Sequence, residues 1–417
     1  MRILIAGMDG YLGWPLAMYL SRRGHEVAGI DVFLRRSMVA EMGGDSATPI
    51  LPMSDRLAAF EEVFGRRIRF VPGDMRDFDT VSRVLYEFRP EAIVHLGEQP
   101  SAPYSMSSRQ RAVFTQMNNV EGTLNLLFAM QETCRDAHLV KLGTMGEYGT
   151  PNVPIPEGFF TIEYRGRTDT LPFPRQAGSW YHQSKVHDSN NIMLACRVWG
   201  LRSTDLMQGV VYGTRTEETA ADGRLCTRFD FDQAFGTAVN RFCAQAVIGH
   251  PLTPYGKGNQ KRGFINIVDS MRCMELAILN PPAGGEYRVF NQFTETFSVN
   301  DLAAAVQTAA SAAGIPTEVI HPANPRMESE DHFYEADHQR LLDLGLAPHS
   351  MSDALAGMIG DLAVHKARIQ ARREAIFPKT RWRGFEDAVP DHGRMRVHRC
   401  QPEPAPREAG MSAPGPR

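Results

Sequence analysis

Residues 1–20 read MRILIAGMDGYLGWPLAMYL. Gly7, Gly10 and Gly13 follow the apolar run Ile3 to Ala6 and precede an amphipathic segment, and this order decides the fold class. A strand that enters a glycine turn lets backbone approach a ligand where a Cβ would clash. The helix that follows points its N-terminal amides and its dipole at that ligand, which suits a pyrophosphate. Glycine triplets also occur in strand-to-helix turns for steric reasons alone, so a second feature has to agree. Glu26-Val27-Ala28-Gly29-Ile30-Asp31 supplies it: a short strand ending in an acid about twenty residues past the glycines, where a carboxylate binds a ribose diol. Asp31 disfavours a 2′-phosphate, so NAD is the expected cofactor. Arg35 and Arg36 follow closely and read either as phosphate ligands or as a solvated loop.

With 417 residues, 43% of them hydrophobic and 22% charged, the chain can bury a full α/β core and a smaller appended domain. A net charge of -3 gives no basic field for nucleic acid. No apolar run approaches the length of a bilayer span, so membrane insertion is not expected either. The first strand starts at Arg2, so no signal or transit segment is expected ahead of the fold, and the expected compartment is the cytoplasm. Cys134, Cys196, Cys226, Cys243, Cys273 and Cys400 show no C-x-x-C spacing. They read as reduced packing residues, and no metal site is expected.

Strand-like segments at Ile68 to Val71, Ala92 to Leu96, His138 to Leu142 and Arg202 to Met207 alternate with helical ones at Asp79 to Phe88, Arg111 to Glu132 and Tyr181 to Trp199. That alternation predicts an α/β fold: a Rossmann-type doubly wound parallel sheet with a smaller C-terminal α/β substrate lobe. The expected boundaries are 1–212 for the NAD-binding domain and 213–376 for the lobe, with some chain crossing back to the sheet. An irregular, proline-rich tail, 377–417, reads as disordered. The segments Met38 to Asp55 and Asn152 to Gly178 read as long loops at the ligand edge, either lids or decoration.

Tyr181-His182-Gln183-Ser184-Lys185 places Tyr181 and Lys185 one helical turn apart on one face. A lysine ammonium beside a phenol lowers its pKa, so the phenolate can take a proton from an alcohol while hydride leaves the same carbon. The spacing is common on ordinary surface helices and gains meaning from context. Thr144, at the end of the strand Leu139 to Leu142, supplies that context as a hydroxyl for the reacting oxygen.

Together, the glycine turn, Asp31, Thr144 and Tyr181-x-x-x-Lys185 resemble the extended short-chain dehydrogenase/reductase family, which acts largely on nucleotide sugars. Asn119-Val120-Glu121-Gly122-Thr123 and Tyr212-Gly213 fit it too. The likeness narrows to the UDP-sulfoquinovose synthase branch of sulfolipid biosynthesis. It does so at His95-Leu96-Gly97-Glu98-Gln99, Ser101-Ala102-Pro103-Tyr104-Ser105-Met106, Lys141-Leu142-Gly143-Thr144-Met145-Gly146-Glu147-Tyr148-Gly149, Gly166-Arg167-Thr168-Asp169-Thr170-Leu171-Pro172 and Phe290-Asn291-Gln292-Phe293-Thr294-Glu295. The resemblance runs from Met1 to about Pro348. It implies NAD held through a closed redox cycle, UDP-glucose as acceptor and sulfite as nucleophile. C4 of the glucose is oxidised with Tyr181 as base, which acidifies the C5 proton, and water leaves from C6. The enone accepts sulfite at C6, and C4 is reduced again. A homodimer through the helices Arg111 to Glu132 and Tyr181 to Trp199 is also implied, and a sulfite-donor protein is a further expected partner.

Carried over by position, the resemblance implies cofactor contacts at Gly7, Asp9, Gly10, Tyr11, Leu12 and Gly13, and at Asp31, Arg35 and Arg36. It adds Asp74, Met75, Leu96, Gly97, Asn118 and Asn119, besides Tyr181 and Lys185. Water elimination needs an acid or base beyond Tyr181, and the resemblance puts Glu147 and His182 at the site. Each also has a structural reading, Glu147 as the cap of a turn and His182 as a partner of helix backbone. Substrate contacts are implied at Gln99, Ser101, Met145, Gln208, Val211 and Thr237, and at Asn240, Arg241, Thr253, Pro254, Tyr255, Arg262 and Arg326. The planar guanidinium fork suits a diphosphate.

Two departures stand out. Plant members of the branch carry an arginine where this chain has Pro100, so sulfite has to be met by Arg167, a backbone nest or another loop. Val210 replaces an asparagine of the wider family, and Gln208 is the candidate substitute. A UDP-glucose 4-epimerase or 4,6-dehydratase would use the same Thr144, Tyr181 and Lys185. The dehydratases, however, carry Thr-Asp-Glu where this chain has Thr144-Met145-Gly146. A non-catalytic NAD-sensing protein tends to lose the tyrosine or the lysine, and this chain keeps both.

Overall fold

A computed structural model describes residues 1–326, 331–378 and Trp382. Twelve strands are present among them: β1 (Arg2–Ala6), β2 (Glu26–Asp31), β3 (Ile68–Pro72), β4 (Ala92–His95), β5 (His138–Thr144), β6 (Phe159–Tyr164), β7 (Arg167–Pro172), β8 (Arg202–Gln208), β9 (Val210–Tyr212), β10 (Lys261–Asn266), β11 (Tyr287–Gln292) and β12 (Glu295–Ser298). Seven form one sheet in the order β11-β8-β5-β4-β1-β2-β3, and every neighbouring pair is parallel. Parallel strands covered on both faces must be apolar throughout. On β1, Ile3 and Ile5 enter one buried cluster and Leu4 and Ala6 the opposite one, as a period of two requires.

Strand order reverses between β1 and β4, which opens a crevice beyond their carboxyl ends. Around it, β9, β10 and β12 form a second, three-stranded sheet. It packs with the helices Ala238–Val247, Val299–Ala312 and Met351–Ala363 about Phe242, Phe264, Leu302 and Leu355.

Three segments differ from the sequence expectation. The helix expected over Arg111 to Glu132 starts at Arg109, changes to a π-helical turn over Met117–Glu121 and resumes as Gly122–Thr133. The segment 38–55 holds the end of one helix, Leu34–Glu41, and the start of another, Met53–Phe64. The long loop 152–178 contains the antiparallel hairpin β6–β7. Its turn residues Arg165 and Gly166 both have positive φ, 52° and 71°, as a two-residue hairpin turn demands. Most of the 377–417 tail lies outside the described residues. Among the described residues, no helix is long and apolar enough to cross a membrane, and no cluster of His, Cys, Asp and Glu could hold a metal ion.

The glycine turn is under double constraint. Gly7 has φ +85°, and a Cβ there would lie 2.6 Å from the Leu96 carbonyl carbon. A Cβ on Gly13 would lie 2.1 Å from the Gly7 oxygen. Gly7→Ala is therefore expected to cost more than about 1 kcal/mol of stability and to weaken NAD retention. Thermal unfolding and the NAD content of the purified variant check this, and values equal to wild type would contradict it.

Candidate active site

The carboxyl ends of the central strands open into a cavity of about 620 Å³. One end is built by the turn after β1, where Gly7, Gly10, Tyr11, Leu12 and Gly13 line the wall. Asp31, Asp74, Met75, Leu96 and Gly97 continue it, and Asn118, Tyr181 and Lys185 close its inner side. The bare glycine backbone fits the close approach of a pyrophosphate. Asp31 fits a ribose diol: Oδ2 accepts the Asp9 N–H at 2.8 Å and Oδ1 the Phe33 N–H at 2.6 Å, which fixes the carboxylate at the cavity edge. Burial pushes its pKa up to about 6. Arg35 also lines the cavity, paired with Asp230 at 2.7 Å and lying over the Phe235 ring at 4.4 Å.

The segment after β9 is fastened to the glycine turn and the helix that follows it. The Tyr11 hydroxyl donates to the Gly213 carbonyl at 2.6 Å, and the Thr227 hydroxyl donates to the Tyr11 carbonyl at 2.8 Å. The Trp14 indole N–H donates to the Leu225 carbonyl at 2.9 Å, and Ser46 bridges to Asp230.

Three residues expected to touch the cofactor do not line the cavity. Asp9 is buried between Arg36 at 2.6 Å and Arg56 at 2.8 Å, so the carboxylate and both guanidinium groups satisfy one another. Asn119 spends its amide on structure: Oδ1 accepts the Gln99 N–H, while Nδ2 donates to the Gln99 carbonyl and the Ser184 hydroxyl. Asn118, its neighbour in the π-helical turn, lines the cavity and donates to the Asn119 Oδ1 at 3.0 Å. Such turns often mark functional positions.

Thr144, Met145, Tyr181, His182 and Lys185 share the inner wall. The Tyr181 and His182 rings are 5.0 Å apart. The Lys185 ammonium is hydrogen-bonded to Glu98. Burial, with Glu98 and Glu147 adding to it, raises the Tyr181 pKa. Burial and then Arg262 and Arg326 lower His182 to about 3, so the imidazole is neutral. Its Nδ1 is 3.0 Å from the Ser179 hydroxyl.

Glu147 does not reach the cavity. It is fully buried and caps the turn after β5, its Oε1 accepting the Thr144 N–H at 3.3 Å. Lys141 at 3.2 Å and Arg175 at 3.0 Å complete its partners, along with the Ser189 hydroxyl at 2.9 Å. Lys141, also fully buried, donates to the Lys185 carbonyl at 3.1 Å and lies 3.3 Å from Asp205. Burial alone would lower its pKa, but Asp205 and Glu147 outweigh that and raise it.

Gln208, Val211, Thr237, Asn240, Arg262 and Arg326 also line the cavity. Gln99, Ser101, Arg241, Thr253, Pro254 and Tyr255 do not. Gln99 is held by Thr115 at 2.8 Å, and the Ser101 hydroxyl donates to the Ala234 carbonyl. Arg241 is buried over the Tyr255 ring at 4.6 Å, and Thr253 accepts from Gln245 at 2.8 Å. Arg167 is exposed on β7, away from the cavity. Glu98, Asp230, Tyr334 and Trp382 also line the wall without having been singled out. For Glu98 the signal was present: an acid three residues past a buried strand.

The NAD dependent epimerase/dehydratase family model matches residues 3–291. Over 383 residues, 92% of this chain and 79% of the relative, the chain is 52% identical to the chloroplastic UDP-sulfoquinovose synthase of Spinacia oleracea. Over 385 residues, 92% of this chain and 98% of the relative, it is 44% identical to the UDP-sulfoquinovose synthase of Sulfolobus acidocaldarius. The chain belongs to the UDP-sulfoquinovose synthases of this NAD-dependent family. The fold is shared more widely. The UDP-glucuronic acid 4-epimerase of Bacillus cereus, in complex with UDP-glucuronic acid and NAD, aligns with a TM-score of 0.65 at 20% identity, over 87% of this chain and 99% of its own.

The cofactor of this UDP-sulfoquinovose synthase family member is NAD, and the protein is an NAD-dependent enzyme. Removing one charge from a buried ion pair typically costs about 3–5 kcal/mol. Glu147→Gln is therefore expected to lower the unfolding temperature markedly and to slow every step that depends on Thr144. Thermal melting beside single-turnover assays checks this. An unchanged melting temperature with loss confined to water elimination would instead return Glu147 to the chemistry.

Proposed function

We infer that the enzyme forms UDP-sulfoquinovose from UDP-glucose and sulfite, releasing water. One observation carries the site assignment: Thr144, Tyr181 and His182 line one cavity together with the glycine turn, Arg262 and Arg326. Bound NAD supplies hydride acceptance at C4 of the glucose and its later return. Tyr181, as the phenolate, takes the C4 hydroxyl proton, and the Thr144 hydroxyl holds the same oxygen in place. With C4 a carbonyl, the C5 proton is acidic, and the neutral His182 is the cavity-lining base for it. The same imidazole can pass that proton to the C6 oxygen as it leaves as water. Sulfite, entering as bisulfite, then bonds through sulfur to C6 and gives up its proton, which His182 relays to C5; as hydride returns to C4, Tyr181 returns its proton to O4.

Arg262 and Arg326 suit the diphosphate. Its negative charge would offset the two arginine charges that now lower the His182 pKa, which makes the imidazole a better base when substrate is bound. Pro100 offers sulfite no cation and Arg167 is remote, so we assign sulfite to the wall formed by Gly146, Gly149, Thr150 and Gln176. A sulfite-delivering protein is a proposed partner on chemical grounds, since free sulfite is a reactive nucleophile.

We also propose a homodimer. Val113, Met117, Leu124 and Phe128 on one helical segment and Trp180, Leu194 and Val198 on another are exposed, which is apolar surface suited to a second copy. Light scattering should give twice the chain mass, and Phe128→Glu with Leu194→Glu should give the monomer. A monomer mass for the unmodified protein would overturn this.

Mass spectrometry of the product from UDP-glucose and sulfite tests the reaction itself. Tyr181→Phe should reduce turnover by on the order of a hundred- to ten-thousand-fold while NAD stays bound. His182→Ala should still oxidise C4, accumulating NADH absorbance and a 4-keto sugar without sulfonate. Normal product formation by either variant would overturn its assigned role.

A further inference from the structure

The loop after β4 carries a carboxylate with no part in the steps above. Glu98 lines the cavity, and its side chain is 4% exposed. Oε2 accepts from the Lys185 ammonium. Oε1 lies 3.4 Å from His95 Nε2 and makes no hydrogen bond. His95 shares that nitrogen with the Thr123 hydroxyl at 3.1 Å, and burial lowers its pKa to about 4, so it brings no positive charge. Lys185 is the counter-ion of Glu98.

We propose that Glu98 is a positioning residue of the hydride step: by holding the Lys185 ammonium between β4 and the helix Trp180–Trp199, it sets how tightly the Tyr181 phenol keeps its proton. The proposal rests on the reading of Tyr181 as the C4 base.

The charges around the phenol support it. Tyr181 faces Glu98 from the β4 loop, Glu147 and Lys141 from β5 and its turn, and Arg35 from the helix after β2. On its own helix it neighbours His182, with Lys185 one turn on. After burial, Glu98 is the largest influence raising the phenol's pKa. Glu147 is already matched by Lys141 and Arg175. Glu98 itself faces Lys185, His95, Lys141 and Asp188. Burial and then Glu98 push the Asp188 carboxyl well above the usual carboxylate range. A tyrosine that takes a proton as phenolate on oxidation and gives it back as phenol on reduction works best with a pKa tuned between the two tasks.

The test is the pH dependence of the first hydride transfer, read as NADH absorbance when UDP-glucose is mixed with the NAD-loaded enzyme. Glu98→Gln frees Lys185 toward the phenol, so the acid limb of the rate profile should move down by about one pH unit, roughly tenfold in rate on that limb. A packing role alone would lower the rate without moving the limb. A limb that stays in place or moves up overturns the proposal. Should Glu98→Gln fail to fold, Glu98→Asp withdraws the carboxylate by one methylene and should move the limb the same way by less; no movement there also overturns it. Tyr181→Phe separates the two ideas. If that variant still transfers hydride, the underlying reading fails, whereas an inactive Tyr181→Phe beside a fixed Glu98→Gln limb overturns the Glu98 proposal alone.

Discussion

A single buried ammonium holds the catalytic wall in register. Lys141 leaves the middle of β5 and meets Glu147 on the turn below Thr144, Ser189 and the Lys185 carbonyl on the catalytic helix, and Asp205 on β8. Tyr287 on β11 donates to the same Asp205, and Arg175 brings in the segment beyond the hairpin. Desolvating a charge is tolerable only when partners surround it, so each of these elements has to arrive for the others to be stable. The position of Thr144 relative to Tyr181 follows from that mutual requirement and from the parallel pairing of β5 with β8.

Much of this was legible in the sequence, for physical reasons. Ile3 to Ala6 reads as a doubly covered strand because nothing in it tolerates water. The glycine turn and Asp31 read as a dinucleotide site because the turn forbids a Cβ and the strand end needs an acid. The rest depends on contacts between distant residues. Glu147 stands three residues past Thr144, which suits a catalytic acid and a turn cap equally, and only Lys141 and Arg175 decide for the cap. Asp9 sits inside the glycine turn, yet Arg56, from a helix far along the chain, claims it. Arg165-Gly166 was a readable hairpin signal between two runs rich in threonine and aromatic residues, but exposure on both faces hid the strands.

Much of the charge on the cavity wall is paired within the protein: Asp74 with Arg76, Arg35 with Asp230 and Lys185 with Glu98, while His182 is uncharged. A sugar beside Thr144, Tyr181 and His182 meets hydrogen-bonding groups more than fixed charge, which suits chemistry whose own charges appear and vanish at C4 and C5.

The chain from Gly213 to Asp230 is fastened to the glycine turn and the helix after it through Tyr11 and Trp14, and to the segment before Met53 through Ser46. Oxidation and re-reduction at the same C4 leave NAD as it began, so each turnover closes on itself and draws on no outside pool of NAD or NADH. Hydrogen taken from one sugar has nowhere to go but back to that same sugar.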